Sequence, residues 1–177
     1  MITEETMALI AEGSISALER LYRETYRQVF LYILSMTKDR HTAEDLMHDT
    51  YMRIFEKADR YQKGTSVETW MMTIARNIAY DHFRSRKKII PLEECIAGDD
   101  STYARDDSVR VLENIALETA IRELPDLNAE ITVLYGICGY KHREIADILL
   151  IPEGTVRRRY RDAIRQLRNI MEGKRDE

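Results

Sequence analysis

The sequence predicts an all-α fold made of two small helical domains. Only three prolines interrupt the 177 residues, and a third of the residues are charged, which is typical of helical proteins. Apolar residues recur at gaps of three and four over long stretches, as they do on one face of an α-helix. No stretch alternates convincingly with the period of two expected of a strand, so no sheet is predicted.

The N-terminal part, residues 1–88, contains four stretches with this helical periodicity. The second, third and fourth are preceded by residues whose side-chain oxygens could cap a helix, namely Ser16, Thr42 and Ser66. The fourth helix is expected to run from Val67 to about Lys87.

A change of composition separates this part from the rest of the chain. Residues 89–110 carry six carboxylates and two arginines, with a proline and a glycine, and are expected to form an acidic linker. Residues 111–177 return to helical periodicity as four helices with short connections. The first of these stops before Pro125, because the residue ahead of a proline disfavours the α region, and Asn128 is expected to cap the second.

The composition excludes several classes of protein. The sequence contains no run of about 18 apolar residues, the length needed to span a membrane. Its N-terminus is acidic, unlike that of a signal peptide. Cys95 and Cys138 are isolated and the four histidines are scattered, so no metal site or cofactor is expected and the cytoplasm is the expected location. No nucleophile–base pair or phosphate loop appears, so neither enzyme activity nor a small-molecule substrate is expected.

The last two helices have the pattern of a helix-turn-helix, KHREIADILL-IPEG-TVRRRYRDAIRQL. On the second of them, five arginines fall within an arc of about 100° opposite the apolar side. In such units the second helix enters the major groove, where arginine grips guanine edges or phosphates. The alternative is an ordinary helical hairpin with a solvated basic face. The residues expected to contact DNA are Thr155, Arg157, Arg158, Arg161, Asp162, Arg165 and Arg168.

Position along this helix separates the arginines by role. The N-terminal residues of such a helix reach base edges, which makes Arg157, Arg158 and Arg161 the candidates for base contacts. Arg165 and Arg168 are expected to hold phosphates instead, and Arg159 lies on the flank near the apolar face, where a structural role is expected.

The helix beginning at Val67 carries a second candidate surface for DNA. A polar stripe of Thr73, Asn77, Tyr80 and Arg84, spaced by four, three and four residues, runs beside Trp70. Aromatic rings beside cations suit single-stranded DNA, because bases stack on rings while cations follow phosphates. For Trp70 the alternative to a DNA contact is a place in the hydrophobic core, and residue chemistry alone favours that alternative.

A third candidate is the acidic start of the helix AEDLMHDTYMRIF. Glu44, Asp45, His48 and Asp49 lie close together there. Carboxylates at a helix N-terminus are stabilised by the helix dipole, so the cluster is explained equally well as helix stabilisation or as a docking surface for a basic partner.

Taken together, these segments resemble a known family. AEDLMHDTYMRIF, then ETWMMTIARNIAYDHFRSRKK, a linker, and LPDLNAEITVLYGICGYKHREIADILLIPEGTVRRRYRDAIRQLR occur in the order and spacing of the extracytoplasmic-function sigma factors. These are small two-domain sigma subunits of bacterial RNA polymerase. The resemblance extends from about Leu18 to Leu167. It implies that residues 1–88 form a sigma region 2-like domain and residues 111–177 a sigma region 4-like helix-turn-helix domain.

The resemblance also implies a role for each candidate surface. The helix containing Glu44, Asp45, His48 and Asp49 would dock on core RNA polymerase, and the C-terminal helix would read the −35 promoter element. The loop and helix that follow Tyr61 would capture an unstacked, single-stranded −10 element. The −10 residues implied are Tyr61, Trp70, Asn77, Tyr80, Asp81, Arg84, Arg86, Lys87 and Lys88. The acidic linker would thread through the polymerase active-site channel.

Three positions depart from the family pattern. His48 stands where a glutamine is common, Leu150 replaces a usual glycine, and Asp162 replaces a usual arginine. Many relatives are held by an anti-sigma factor, which is the further partner expected. The rival hypothesis is a sigma-like decoy that binds an anti-sigma factor without binding DNA, and such a decoy would not need the outward arginines. A repressor or activator using only the helix-turn-helix would not need residues 16–88.

Overall fold

The computed structural model describes residues 2–89 and 108–173, with side chains described over 2–85 and 116–170. These ranges form eight α-helices and no strand, which confirms the all-α prediction. The helices are α1 (Glu4–Ala11), α2 (Ile15–Thr37), α3 (Arg40–Lys57), α4 (Val67–Ile89), α5 (Ser108–Glu123), α6 (Asp126–Gly136), α7 (His142–Leu149) and α8 (Glu153–Gly173). None of the described helices combines the length and the apolar character needed to cross a bilayer. Most of the expected acidic linker, residues 90–107, lies outside the described residues.

Side-chain caps set where the N-terminal helices begin. Ser14 precedes α2 with extended backbone, and its Oγ accepts a hydrogen bond from the Ala17 N–H at 3.3 Å. Asp39 precedes α3, and its Oδ2 accepts a hydrogen bond from the Thr42 N–H at 2.7 Å. The predicted caps Ser16 and Thr42 are therefore wrong, because the residue with extended backbone immediately before each helix supplies the cap.

The two remaining cap predictions have opposite outcomes. Ser66 caps α4 as predicted, since its Oγ accepts a hydrogen bond from a first-turn N–H at 3.2 Å. Asn128 does not cap α6, because that helix already begins at Asp126, directly after Pro125. Asn128 is buried inside the helix instead, and its Nδ2 donates to Gln166 of α8 at 3.3 Å.

The core of the N-terminal half lies between α2, α3 and α4, with α1 packed against α2 and α3. Each large apolar side chain withdrawn from water here contributes about 1.5–3 kcal/mol of transfer free energy, and the alanines contribute less. Side chains with no or almost no exposure are Leu21, Val29, Ile33, Leu34, Ile54, Met71, Met72, Ala75 and Ala79.

The C-terminal half closes a second group of helices around α6, α7 and α8. Ile145 of α7 is fully buried, as are Val156 and Ala163 of α8, and the two helices pack against each other as a helix-turn-helix. The apolar stripe predicted for α8 is thus confirmed at those two positions, although Ile164 is 36% exposed.

The two halves are in contact, through α2 against α5 and α6 and through α4 against α7. Lys38, the left-handed residue that ends α2, donates from Nζ to the carbonyl oxygens of Ile121 and Leu124, both at 2.9 Å. Arg40 donates to both carboxylate oxygens of Glu118 on α5, at 3.0 and 3.1 Å. Lys38 and Arg40 of the N-terminal half thus bind the C-terminal half, Lys38 at carbonyl groups at the end of α5 and Arg40 at a carboxylate of the same helix.

A buried carboxyl group lies in the same contact. Glu130 of α6 is 3% exposed and interacts with Tyr32 and Lys38 of α2, Arg76 of α4 and Asp126 of its own helix. Burial raises the pKa of Glu130 to about 7, against the opposing influence of the two cations and the tyrosine hydroxyl. Because the pKa is raised above the ordinary value of 4.5, the folded state binds this proton more tightly than the unfolded chain does.

We therefore expect the contribution of Glu130 to stability to be fully present below about pH 4.5 and to be lost as the pH rises through about 7. The loss is on the order of 3 kcal/mol. Glu130→Gln, which stays neutral, should be more stable relative to wild type at pH 8 than at pH 5. Urea unfolding of both proteins at the two pH values measures this, and an equal stability difference at both would contradict it.

Candidate nucleic-acid interface

The predicted DNA-reading residues of α8 lie on its solvent side. Arg157, Arg158, Arg161, Arg165 and Arg168 are all exposed, and together they are called the arginine face below. Thr155 and Asp162 are half-buried beside it. The exposure follows from the burial of Val156 and Ala163, because burying one side of a helix fixes which residues point away.

Two members of the arginine face already have acidic neighbours. Arg157 donates from Nε and Nη2 to Glu153 Oε1, at 3.1 and 2.5 Å. Arg165 lies 3.9 Å from a carboxylate oxygen of Asp162. Glu153 was not among the predicted residues, although its i,i+4 spacing to Arg157 is that of a helical ion pair. Arg159 differs from the arginine face, since its Nε is buried without a hydrogen-bond partner among the described residues.

The turn between α7 and α8 is built on an unusual residue. Leu150 adopts a left-handed backbone, φ 57° and ψ 43°, and its N–H donates to the Ala146 carbonyl. Its side chain is 81% exposed. Glycine is usual at this position in the family. Leucine here adopts the left-handed conformation that glycine would adopt freely, so the turn is kept at a cost in backbone strain.

An aromatic cluster that the sequence did not reveal braces the same unit. Tyr135 at the end of α6 stacks on His142 at the start of α7, with ring centroids 4.5 Å apart, and its ring also lies 4.5 Å from that of Tyr160 on α8. Partial burial raises the pKa of Tyr160. The cluster ties together the three helices that set the direction of the arginine face.

The polar stripe of α4 is exposed as predicted. Thr73, Asn77, Tyr80 and Arg84 face solvent together with Asp81, which lies 4.0 Å from the Arg84 guanidinium. Arg76 stacks its guanidinium over the Tyr80 ring at 4.7 Å and so holds that aromatic side chain in place. The side chains of Arg86, Lys87 and Lys88 lie outside the described residues.

Trp70 and Tyr61 form one aromatic corner at the start of α4. Their rings meet edge to face at 5.6 Å, and the Tyr61 hydroxyl donates to the Thr65 carbonyl within the loop. Trp70 is half-buried and packs against the core, so it serves the core and the surface at once. A cleft of about 490 Å³ opens beside it, lined by Arg60, Gln62, Thr65, Ser66, Thr69 and Trp70 and, from α7, by Glu144 and Asp147.

The acidic cluster of α3 is also on the surface, but its predicted place at the helix N-terminus is wrong, because α3 already begins at Arg40 and has no acidic residue in its first turn. Asp45, His48 and Asp49 are exposed, whereas Glu44 is half-buried and accepts a hydrogen bond from Arg40 at 2.9 Å. His48 faces the ring of a tyrosine on α2, with centroids 6.3 Å apart. The cluster does not form a metal site, since the described residues contain no group of three potential ligands.

An aromatic surface next to this cluster was missed by the sequence analysis. Tyr22 of α2 stacks with Tyr26 at 5.9 Å and meets Tyr51 of α3 edge to face at 4.9 Å. Tyr26 is 49% exposed, so apolar ring surface adjoins the exposed carboxylates. The i,i+4 spacing of the two α2 tyrosines was readable from sequence, but their approach to His48 depends on how α2 crosses α3.

Comparison with known proteins identifies the family. Residues 21–89 match Sigma-70 region 2, and residues 114–167 match Sigma-70, region 4. The ECF RNA polymerase sigma factor SigM of Bacillus subtilis (strain 168) is 30% identical over 139 residues, covering 78% of this chain and 85% of SigM. The chain belongs to the ECF sigma factors. The resemblance stated from sequence is thereby confirmed.

Other relatives and solved structures agree with this family and fold. The ECF sigma factor SigX of B. subtilis (strain 168) is 28% identical, covering 89% of this chain and 86% of SigX. CnrH, solved in complex with the cytosolic domain of CnrY, has a TM-score of 0.68 at 18% identity, covering 96% of this chain and 97% of that one. The sigma factor RpoE of Bartonella quintana, solved with the anti-sigma factor NepR, has a TM-score of 0.67 at 21% identity, covering 89% and 98%.

The strained turn leads to a stability prediction for this sigma factor. Leu150→Gly should raise the free energy of unfolding by about 0.5–1 kcal/mol, because the relief of left-handed strain exceeds the added entropy of glycine in the unfolded chain. Leu150→Ala is the matched control, since it removes the exposed apolar side chain but keeps Cβ. Chemical denaturation measures both, and an equal gain from alanine would show that strain is not the cause.

Proposed function

We propose that this sigma factor binds core RNA polymerase and directs promoter-specific initiation by recognising −10 and −35 elements. Residues 1–88 would act as the region 2-like domain, residues 111–177 as the region 4-like domain, and residues 89–110 as an acidic linker between them. The observation that carries the proposal is that each half has its own exposed surface suited to DNA, namely the α4 stripe and the arginine face.

At the −35 element, α8 would lie in the major groove of duplex DNA. Arg157, Arg158 and Arg161 are nearest the start of the helix and would reach base edges, with Thr155 beside them. Arg165 and Arg168 would hold phosphates. Asp162, in place of an arginine, removes a cation and can accept a hydrogen bond from a cytosine amino group, which would shift the preferred −35 sequence.

At the −10 element, α4 and the loop before it would capture unstacked bases. Unstacking costs a few kcal/mol, which stacking on aromatic rings and contacts to the base edges would offset. Tyr61, Trp70 and Tyr80 supply rings, and Asn77 and Arg84 supply exposed polar groups beside them. Asp81 would face the promoter beside Arg84, and Arg86, Lys87 and Lys88 would bind the phosphates.

The acidic cluster of α3 would dock on polymerase. Asp45 and Asp49 are exposed carboxylates that would meet a basic surface, with His48 and Glu44 beside them. The polymerase would carry out all bond chemistry, so the sigma factor itself would be neither an enzyme nor a binder of a cofactor or small-molecule substrate. Its place of action would be the cytoplasm.

An anti-sigma factor is the further partner we propose. Among the solved structures of similar fold, the sigma factor RpoE of Bartonella quintana is in complex with the anti-sigma factor NepR, and CnrH is in complex with the cytosolic domain of CnrY. A decoy that binds such a partner without DNA is the less supported alternative, because it would have no use for an exposed arginine face.

Run-off transcription tests the whole proposal. Purified core polymerase with this protein should produce promoter-dependent transcripts from genomic fragments, and core polymerase alone should not. Asp45→Lys combined with Asp49→Lys should abolish these transcripts by reversing the charge of the docking surface, with Asp59→Lys, outside the proposed surfaces, as a control. Absence of initiation by the wild-type protein would favour the decoy.

The arginine face can be tested residue by residue. Arg157→Ala or Arg158→Ala should cost about 1–3 kcal/mol of binding at one −35 base pair if that side chain reads a base. Arg165→Ala should weaken binding to all sequences alike and flatten the salt dependence by about one unit. Affinity measured against a set of single-base −35 variants decides this. Equal losses at every base pair for all three would overturn the major-groove assignment.

A further inference from the structure

The loop before α4, residues 61–66, contains a tight turn. The Thr65 N–H donates to the Gln62 carbonyl at 3.2 Å, and the Thr65 hydroxyl donates to the same oxygen at 2.7 Å. Gly64 has a φ of 88°, as the third position of a type II turn requires and as a residue with a Cβ rarely adopts. None of these bonds uses the Gly64 N–H, which is left available to another partner.

That partner comes from the N-terminal helix. The Gly64 N–H donates to the carboxylate of Glu4 at 2.6 Å, across 60 residues of sequence. A hydrogen bond to a charged acceptor is shorter and stronger than one between neutral groups. Glu4 therefore ties the turn to α1.

Helix α1 is a firm support for this bond. Met7 and Ile10 are each 1% exposed. The helix packs against α2, α3 and the single 3₁₀ turn Ala58–Arg60 that leads into the loop. Because the burial of large apolar side chains holds a helix against its neighbours, the position of Glu4 is set by the core and not by the loop.

The turn is continuous with the aromatic corner at the start of α4. Tyr61 begins the loop, and its ring meets that of Trp70 edge to face at 5.6 Å. Gln62 and Thr65 line the cleft beside Trp70. The loop thus carries a ring and polar groups of the proposed −10 surface, and a movement of the turn would move them.

Glu4 itself belongs to none of the surfaces proposed to bind DNA. It precedes residues 21–89, which match Sigma-70 region 2. A direct contact with DNA would be repulsive, since a strand carries a negative charge at every phosphate. The carboxylate can instead contribute order, because a loop already held in its binding conformation loses less entropy when a ligand binds.

We propose that Glu4 is a positioning residue for the −10 element, holding the turn at Gly64 in the shape that captures an unstacked base. The hydrogen bond between Glu4 and Gly64 is called the loop brace. The inference rests on the proposed function, because the turn matters to transcription only if residues 61–66 capture −10 DNA. It adds α1 to the elements that determine promoter capture.

Three substitutions at the start of α1 test the loop brace. Glu4→Ala removes the acceptor, whereas Glu4→Gln keeps an acceptor oxygen without the charge. Glu5→Ala is the matched control, because Glu5 is also an exposed carboxylate in the first turn of α1 and interacts in the same way with the helix dipole. A role limited to helix stability would make Glu4→Ala and Glu5→Ala equivalent.

Fluorescence of the free protein reads out the loop without DNA. Trp70 is the only tryptophan in the chain, so the emission of the protein reports on this corner. Glu4→Ala should shift the emission to longer wavelength and increase quenching by acrylamide, because a loosened loop uncovers the ring. Glu4→Gln and Glu5→Ala should match the wild type. Emission and quenching of Glu4→Ala equal to those of the wild type would overturn the loop brace.

Capture of single-stranded DNA links the loop brace to function. The probe is a labelled single-stranded −10 oligonucleotide from a fragment that gives run-off transcripts, added to the holoenzyme. Because affinity falls with the fraction of protein in the binding conformation, Glu4→Ala should weaken capture by about fivefold. Glu4→Gln should restore most of the affinity, and Glu5→Ala should leave it unchanged. Affinity for duplex −35 DNA should be the same for all four proteins.

The outcomes separate failure of the loop brace from failure of the function. Stronger capture by both Glu4 variants would show that the carboxylate only repels DNA, which overturns the proposal. A wild-type protein that never initiates contradicts the proposed function and, with it, any role of α1 in promoter capture. A wild type that initiates, with Glu4→Ala capturing the oligonucleotide equally well, contradicts only the loop brace.

Discussion

Burial of one side of α8 is the constraint on which the rest of the interface depends. Val156 and Ala163 are withdrawn completely from solvent, and at 3.6 residues per turn this leaves the arginine face no direction but outward. The aromatic cluster of Tyr135, His142 and Tyr160 fixes the helix against its neighbours. The position of α8 and the chemistry of its exposed side are thus set by different residues, and the arginines can vary without loss of the fold.

The same division of labour recurs at the start of α4. Met71, Met72 and Ala75 are buried in the core, while Asn77 and Tyr80 remain outside. Trp70 belongs to both groups, because it packs on the core and also forms a wall of the cleft. A residue that both packs in the core and lines a surface cleft tolerates substitution less than one that does only one of these.

Sequence reasoning succeeded where periodicity decides and failed where tertiary contact decides. The helices and the outward arginines follow from residue spacing along one helix. The caps at Ser14 and Asp39 depend instead on which residue adopts extended backbone after the preceding element, and several nearby residues could serve. No pattern in α6 shows that Glu130 lies against α2, since its neighbours come from distant parts of the chain. The contact between the halves was invisible for the same reason.

The ion pair between Glu153 and Arg157 has a kinetic consequence. With Asp162 also close to Arg165, two of the five cations on the arginine face have an internal counter-charge. Affinity for arbitrary DNA scales with the number of phosphates neutralised, so in the proposed DNA-binding role these pairs would weaken attachment to random sequence. A guanine that offers two acceptors can displace Glu153 from Arg157, whereas a lone phosphate gains less from the exchange. The carboxylates would therefore shorten the time lost on wrong sites and speed the search along a genome.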